Sequence, residues 1–240
     1  MCGRFALSAM LTDIAEEFST KAEPERTLPV DWNIKPTQEI YIVRNQSNGN
    51  REINIASWGM IAPWSKTNSD AQKSQSMAIN ARSESVHEKP TFRRAFKSQR
   101  CLVPASGYYE WATSLGQYKT KQPFYISRDD QKLIPFAGIF DRWQSPNGEV
   151  RESVAIITRD AVGELANIHN RMPVCMPQDR WDMWLDPQVR EIDQLRALME
   201  FPNPTAHLRF WPVQNLVNSI RNNGAELVAP ITLGDTEVLF

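Results

Sequence analysis

Short apolar runs with strand character recur along this chain, and no long helical period separates them. They fall at 40–43, 52–58, 100–105, 108–112, 123–127, 133–140 and 150–158. Runs of this length, rich in β-branched and aromatic residues and bounded by turn formers, read as strands. A turn at Asn48-Gly49 separates the first two, and Ser106-Gly107 lies between the third and fourth. A late run at 207–212 adds another strand. The helical signals are brief. Leu11, Ile14, Ala15 and Phe18 share one face of a helix over 9–18, with Ser8 placed to cap it. Phe92 and Phe96 mark a helix over 88–98, Asp160 is placed to cap one reaching Ile168, and two more are expected near 178–185 and 187–200. The stretch 31–37 reads as an extended loop, and the polar segment 66–76 as a mobile loop. Many strands with few short helices imply an α+β fold built on curved antiparallel sheets or an open barrel.

No stretch of the 240 residues has linker composition, so one domain over 1–240 is expected. The formal net charge of -1 excludes a general attraction to polyanions, and a nucleic-acid binder of this composition needs a local basic patch. No apolar run reaches membrane-spanning length, and the start of the chain lacks a charged-then-apolar signal pattern, so an intracellular protein is expected. Cys2, Cys101 and Cys175 are odd in number and far apart, and His87, His169 and His207 are scattered. Neither a disulfide framework nor a metal site is indicated, and no cofactor is expected.

Cys2 follows the initiator directly. Removal of Met1 would leave an α-amine beside a thiol. An α-amine titrates near 7.7–8.0, roughly two to three units below a lysine, so a useful fraction is nucleophilic at neutral pH. Such a pair has a distinctive reaction with aldehydes: the amine forms an imine and the thiol closes a thiazolidine ring on it. Effective molarities of about 10⁵–10⁸ M for well-oriented intramolecular additions favour closure over hydrolysis.

Several further motifs occur in order: Met1-Cys2-Gly3-Arg4-Phe5, Asn33-Ile34-Lys35-Pro36-Thr37, Trp58-Gly59-Met60-Ile61-Ala62-Pro63-Trp64, Asn80-Ala81-Arg82-Ser83-Glu84, the run from Arg100 through Gly107-Tyr108-Tyr109-Glu110-Trp111, Phe136-Ala137-Gly138-Ile139-Phe140, and Ile168-His169-Asn170-Arg171-Met172-Pro173. Over roughly residues 2–215 the set resembles the SRAP (SOS-response-associated peptidase) family of abasic-site processing proteins. The resemblance implies a covalent thiazolidine between the N-terminal cysteine and the ring-opened sugar aldehyde of an abasic site in single-stranded DNA, which shields the lesion. It also implies self-processing of the N-terminus. On the same grounds the catalytic residues are expected to be Cys2, Asn80, Glu110 and His169. A neutral amide at Asn80 holds the amine or sugar, a carboxyl at Glu110 among aromatics gains a raised pKa, and an imidazole at His169 suits acid–base work.

For the DNA, the resemblance implies contacts from Arg4, Arg82 and Arg171, with Pro36 and Thr158 lining the strand. Trp64 is the candidate stacking or wedge residue. Trp58, Trp143, Trp181, Trp184 and Trp211 are assigned to the core. Arg93, Arg94 and Lys97 read as a solvated helix face. Some relatives carry an arginine shortly after the Asn-Ala-Arg motif; Val86-His87-Glu88-Lys89-Pro90 stands there in this chain, and that contact is not carried over. The expected partner is single-stranded DNA containing abasic sites, with the protein a monomer in a bacterial cytoplasm at the nucleoid, or in the nucleus if the source is eukaryotic. Two other readings remain open: a class II glutamine amidotransferase, which also uses an N-terminal cysteine, and a noncovalent single-stranded DNA binding module.

Overall fold

A nearly continuous extended run from residue 100 to 111 changes sheets at Ser106, and that switch organises the molecule. The computed structural model describes residues 2–21, 23–114 and 116–233. Among these, the elements run β1 (Phe5–Leu7), α1 (Leu11–Glu17), β2 (Asp31–Ile34), β3 (Glu39–Asn45), β4 (Arg51–Trp58), α2 (Asn68–Met77), β5 (Asn80–Arg82), α3 (Arg93–Ser98), β6 (Arg100–Ala105), β7 (Gly107–Trp111), β8 (Pro123–Arg128), β9 (Ile134–Gln144), β10 (Val150–Asp160), β11 (Arg171–Pro173), α4 (Trp181–Leu185), α5 (Ile192–Met199) and β12 (Leu208–Pro212). Short 3₁₀ turns at Gly163–Asn167 and Gln178–Arg180 lie in connections, and two more, Asn215–Asn218 and Ala225–Val228, follow β12. No described helix is long and apolar enough to cross a membrane.

One sheet is antiparallel throughout, in the order β12-β8-β7-β1-β2. The other curls into a ring: β4 pairs with β3, β3 with β6, β6 with β9, β9 with β10, and β10 returns to β4. The closing contact is parallel, with Ser153 opposite Ser57. The expected α+β single domain is therefore present, with a barrel-like sheet beside an antiparallel one. β6 lies in the barrel and β7 in the antiparallel sheet, and Ser106 between them donates its N–H to the Ala6 carbonyl at 2.8 Å.

β10 is eleven residues long, and its end outruns the barrel. Beyond β9 and β4, its free edges accept two short strands: β5 runs parallel along Ile156–Thr158, and β11 antiparallel along Thr158–Asp160. Neither has enough length to read as a strand alone; each is extended because β10 offers it unpaired N–H and C=O groups. Where the two sheets meet, Phe5 is fully buried, edge-on to Trp58 at 5.1 Å and Phe136 at 6.0 Å, and Tyr108, opposite Phe5 on β7, is edge-on to the same Phe136 at 5.8 Å. Burying a phenylalanine contributes about 1.5–3 kcal/mol. Phe5 thereby anchors the strand that follows Cys2.

Several local expectations are corrected. The segment 66–76 is no loop: α2 forms there, capped by Thr67, whose hydroxyl accepts the Asp70 N–H at 3.0 Å while Asp70 accepts the Thr67 N–H at 3.1 Å. Its inward face is Ala71 and Gln75, too small and polar to show a periodicity. It packs against Gly59, whose φ of +115° and approach to the Gln75 carbonyl leave no room for a Cβ. Ser8 does not cap α1; its hydroxyl bonds Ser106, and Asp13 accepts the Met10 N–H instead. Asp160 caps no helix but ends β10, and Gly163–Asn167 is a 3₁₀ turn. Residues 31–34 of the expected loop are strand β2, paired with β1. Trp58, Trp143, Trp181 and Trp184 are core, with Trp211 half-buried. Arg94 is ion-paired with Asp141 on an otherwise exposed face.

Candidate active site

Cys2 precedes β1, whose position is fixed from both sides by β2 and β7. The Tyr109 N–H donates to the Arg4 carbonyl at 2.9 Å, two residues from the cysteine. Cys2 is wholly buried. Met1, whose removal is expected from the sequence, lies outside the described residues. Asn80 opens β5, and its Nδ2 donates to the Cys2 carbonyl at 2.9 Å. Asn80 Oδ1 is buried with no hydrogen-bond partner among the described residues, an acceptor available to an incoming donor. Glu110 sits near the end of β7 and is only 4% exposed. Just beyond it, the Thr113 N–H donates to the Ile168 carbonyl at 2.9 Å, tying β7 to the segment that carries His169.

His169 is half-buried. Its Nδ1 accepts the Arg171 backbone N–H at 3.0 Å. A neutral ring with Nδ1 as acceptor carries its proton on Nε2.

Electrostatics link these groups. Burial pushes the Cys2 thiol well above its ordinary value, and the Glu110 charge raises it further. The thiol is therefore protonated at neutral pH. Burial lifts Glu110 to about 7, against the opposing pull of positive charge at the amino end of the chain. Burial lowers His169, and the same amino-terminal charge lowers it further. The site thus holds a neutral thiol, a carboxyl poised near neutrality and a neutral imidazole.

The residues expected at the DNA are arranged less uniformly. Arg82, at the end of β5, is exposed, and Trp64 is 56% exposed. Pro36 is half-buried on the segment after β2. Arg4 turns inward: Nη1 donates to Asn33 Oδ1 at 2.6 Å and to the Val217 carbonyl at 3.0 Å, and its guanidinium lies 5.9 Å from the Trp111 ring. Thr158 is buried, and its carbonyl accepts the Ser83 N–H at 2.8 Å. Arg171 is buried in an ion-pair network with Glu84 and Asp160.

The sequence reading missed the residues that hold these arginines. Asn33 is 4% exposed, and its Nδ2 reaches the carbonyls of Val217, Ser219 and Asn222 at 2.8–3.4 Å, securing the last part of the chain against β2. Asn33 and Glu84 both stood inside quoted motifs; a polar residue at a strand end is a signal only once its partners are known. Among the described residues, no cluster of His, Cys, Asp and Glu is placed to hold a metal ion.

A barrel with an appended sheet, holding a cysteine just ahead of the first strand against a carboxamide and a buried carboxyl, with an imidazole on the segment tied to the carboxyl's strand, defines a class of single-domain cysteine proteins. The family model for SOS response associated peptidase (SRAP) matches residues 1–220, and the chain belongs to that family. It is 35% identical over 229 residues to the abasic site processing protein YoqW of Bacillus subtilis, covering 95% of this chain and 99% of that one. It is 32% identical over 220 residues to the mouse abasic site processing protein HMCES, covering 81% of this chain and 61% of the longer relative. Among solved structures, a Bacteroides thetaiotaomicron protein superposes with a TM-score of 0.84 at 26% identity, covering 96% of this chain and all of that one. A Bordetella bronchiseptica protein gives 0.75 at 25% identity over 89% of this chain and 100% of its own.

Proposed function

We propose that this protein processes abasic sites by linking Cys2 covalently to the ring-opened sugar in single-stranded DNA. The observation that carries the reading is a carboxyl held near pH 7 beside a buried, neutral Cys2 thiol, with Asn80 on the Cys2 backbone. The names and extent of the family relatives support the substrate.

Once Met1 is removed, the Cys2 amine attacks the sugar aldehyde carbon and forms a carbinolamine. Glu110, about half protonated near pH 7, gives its proton to the departing hydroxyl; water leaves and an iminium remains. The Cys2 thiol then passes its proton to the Glu110 carboxylate, and sulfur bonds to the iminium carbon. Nitrogen regains its lone pair, the thiazolidine closes, and Glu110 returns to its starting state. One carboxyl thus serves as acid and then base, a task that needs a pKa near the working pH. His169, neutral with its proton on Nε2, assists proton movement at the sugar oxygens. Asn80 orients the amine through the Cys2 backbone and its open Oδ1. Removal of Met1 is assigned to the same site, with the thiol as nucleophile.

For the strand, Arg82 supplies a phosphate contact and Trp64 a stacking surface, and Pro36 also lines it. Arg4, Thr158 and Arg171 shape the floor from within, with Nη1 of both arginines and Nη2 of Arg171 already engaged by the protein. The protein acts as a monomer in this reading.

The test is a denaturing gel with abasic single-stranded DNA. Wild-type protein should give a heat-stable shifted band, with an adduct mass equal to DNA plus protein lacking Met1, less one water. Cys2→Ala should give no band. An equally strong band from Cys2→Ala refutes the mechanism. Glutamine hydrolysis without a band identifies an amidotransferase, and salt-sensitive binding alone identifies a binding module.

A further inference from the structure

Glu84 closes the motif that Asn80 opens, and the reaction above gives it no task. Both its oxygens accept from Arg171, Oε1 from Nη1 at 2.7 Å and Oε2 from Nη2 at 3.0 Å. Arg171 Nη1 also donates to Asp160 Oδ1 at 2.5 Å, and Nη2 to the Thr158 carbonyl at 2.8 Å. The Arg171 side chain is 9% exposed. A planar guanidinium held by a two-point carboxylate, a second carboxylate and a carbonyl has little freedom left.

The clamp spans three strands. Glu84 follows β5, Thr158 and Asp160 belong to β10, and Arg171 opens β11. β5 begins with Asn80, and His169 lies two residues before β11. Both short strands are paired to β10, and the guanidinium adds a side-chain tie between the Asn80 strand and the His169 segment across it. The backbone of the same arginine donates to His169 Nδ1.

We infer that Glu84 and Asp160 are positioning residues for His169: by clamping the Arg171 side chain they hold its N–H on Nδ1 and keep the ring in the Nε2–H tautomer. The inference rests on the proposed part of His169 in the reaction. A salt bridge serving stability alone would leave the ring nitrogens indifferent to its loss. The clamp instead fixes which nitrogen handles the proton, the role that a hydrogen bond to the second ring nitrogen plays in general.

The experiment is ¹⁵N spectroscopy of the histidine rings, assigned with His87→Gln and His207→Gln, on wild type and on Glu84→Gln/Asp160→Asn. Wild-type His169 should be almost wholly Nε2–H, and the double variant a mixture of tautomers. The cross-linking rate of the double variant should fall about tenfold or more, the scale found when a metal-bound histidine loses its orienting partner, while its initial affinity for abasic DNA stays within about twofold. Glu84→Asp, which keeps a carboxylate at position 84 alongside Asp160, should retain most of the wild-type rate. An unchanged tautomer, or an unchanged rate despite mixed tautomers, overturns the inference. Should the double variant not fold, the wild-type spectrum decides, because an Nδ1–H ring is incompatible with the clamp. Absence of any cross-link in wild type would overturn the reaction, and the tautomer spectra would still report on the clamp.

Discussion

Glu110→Gln offers a stability test of the site that needs no DNA. Glu110 sits at about 7 in the folded protein against an ordinary 4.5, chiefly because burial penalises its charge. A carboxyl raised on folding leaves stability intact below its unfolded value and removes stability as pH rises through the folded value. The window therefore runs from about 4.5 to about 7. A difference of this size corresponds to about 3 kcal/mol lost between its two ends. Glutamine keeps the shape and the neutrality of the protonated acid. In urea or thermal unfolding the variant should match wild type near pH 4.5. It should exceed wild type by about 3 kcal/mol at pH 8, or roughly 6–12 °C in Tm for a domain of this size. The comparison cancels other titrating groups. A stability difference that does not change between these pH values refutes the argument, because an ionisable group with that shift cannot be silent. In the same variant the cross-linking rate should lose its dependence on a group titrating near 7.

Four further outcomes follow from particular contacts. Arg82→Ala should weaken DNA binding and lower the slope of log K against log salt by about 1, read from a salt titration, if one phosphate contact is lost. Trp64→Ala should cost about 1–3 kcal/mol in single-strand affinity if its ring stacks on a base, with no loss of Tm, since the exposed ring covers little of the core. Asn33→Ala strips partners from Arg4 and from three carbonyls and should lower stability by about 1–3 kcal/mol in denaturant titration. Thr67→Ala removes the α2 cap and should cost about 1 kcal/mol, visible as faster amide exchange across Asn68–Met77.

The ordered motifs alone named Cys2, Asn80, Glu110 and His169, and the run of short strands gave the α+β class, because a strand's period and a motif's residues are local properties. The longer strands β3, β4, β6, β9 and β10 were readable for that reason. β1, β2, β5 and β11 were not, since three or four residues carry no period and are extended only where a longer strand pairs with them. α2 escaped notice because it buries Ala71 and Gln75 rather than an apolar stripe. The arginines show the same limit most clearly. Arg4, Arg82 and Arg171 look alike in sequence, each two residues from a site residue. Yet Arg82 faces solvent, Arg4 is held by Asn33, and Arg171 is clamped by Glu84 and Asp160. Glu110, a glutamate like any other in the sequence, is carried to about 7 by its burial. Sequence determined which chemical groups are present and in what order along the chain. Only the tertiary structure decided which of them keep their charge open to a ligand, because desolvation and pairing depend on what folds against each group.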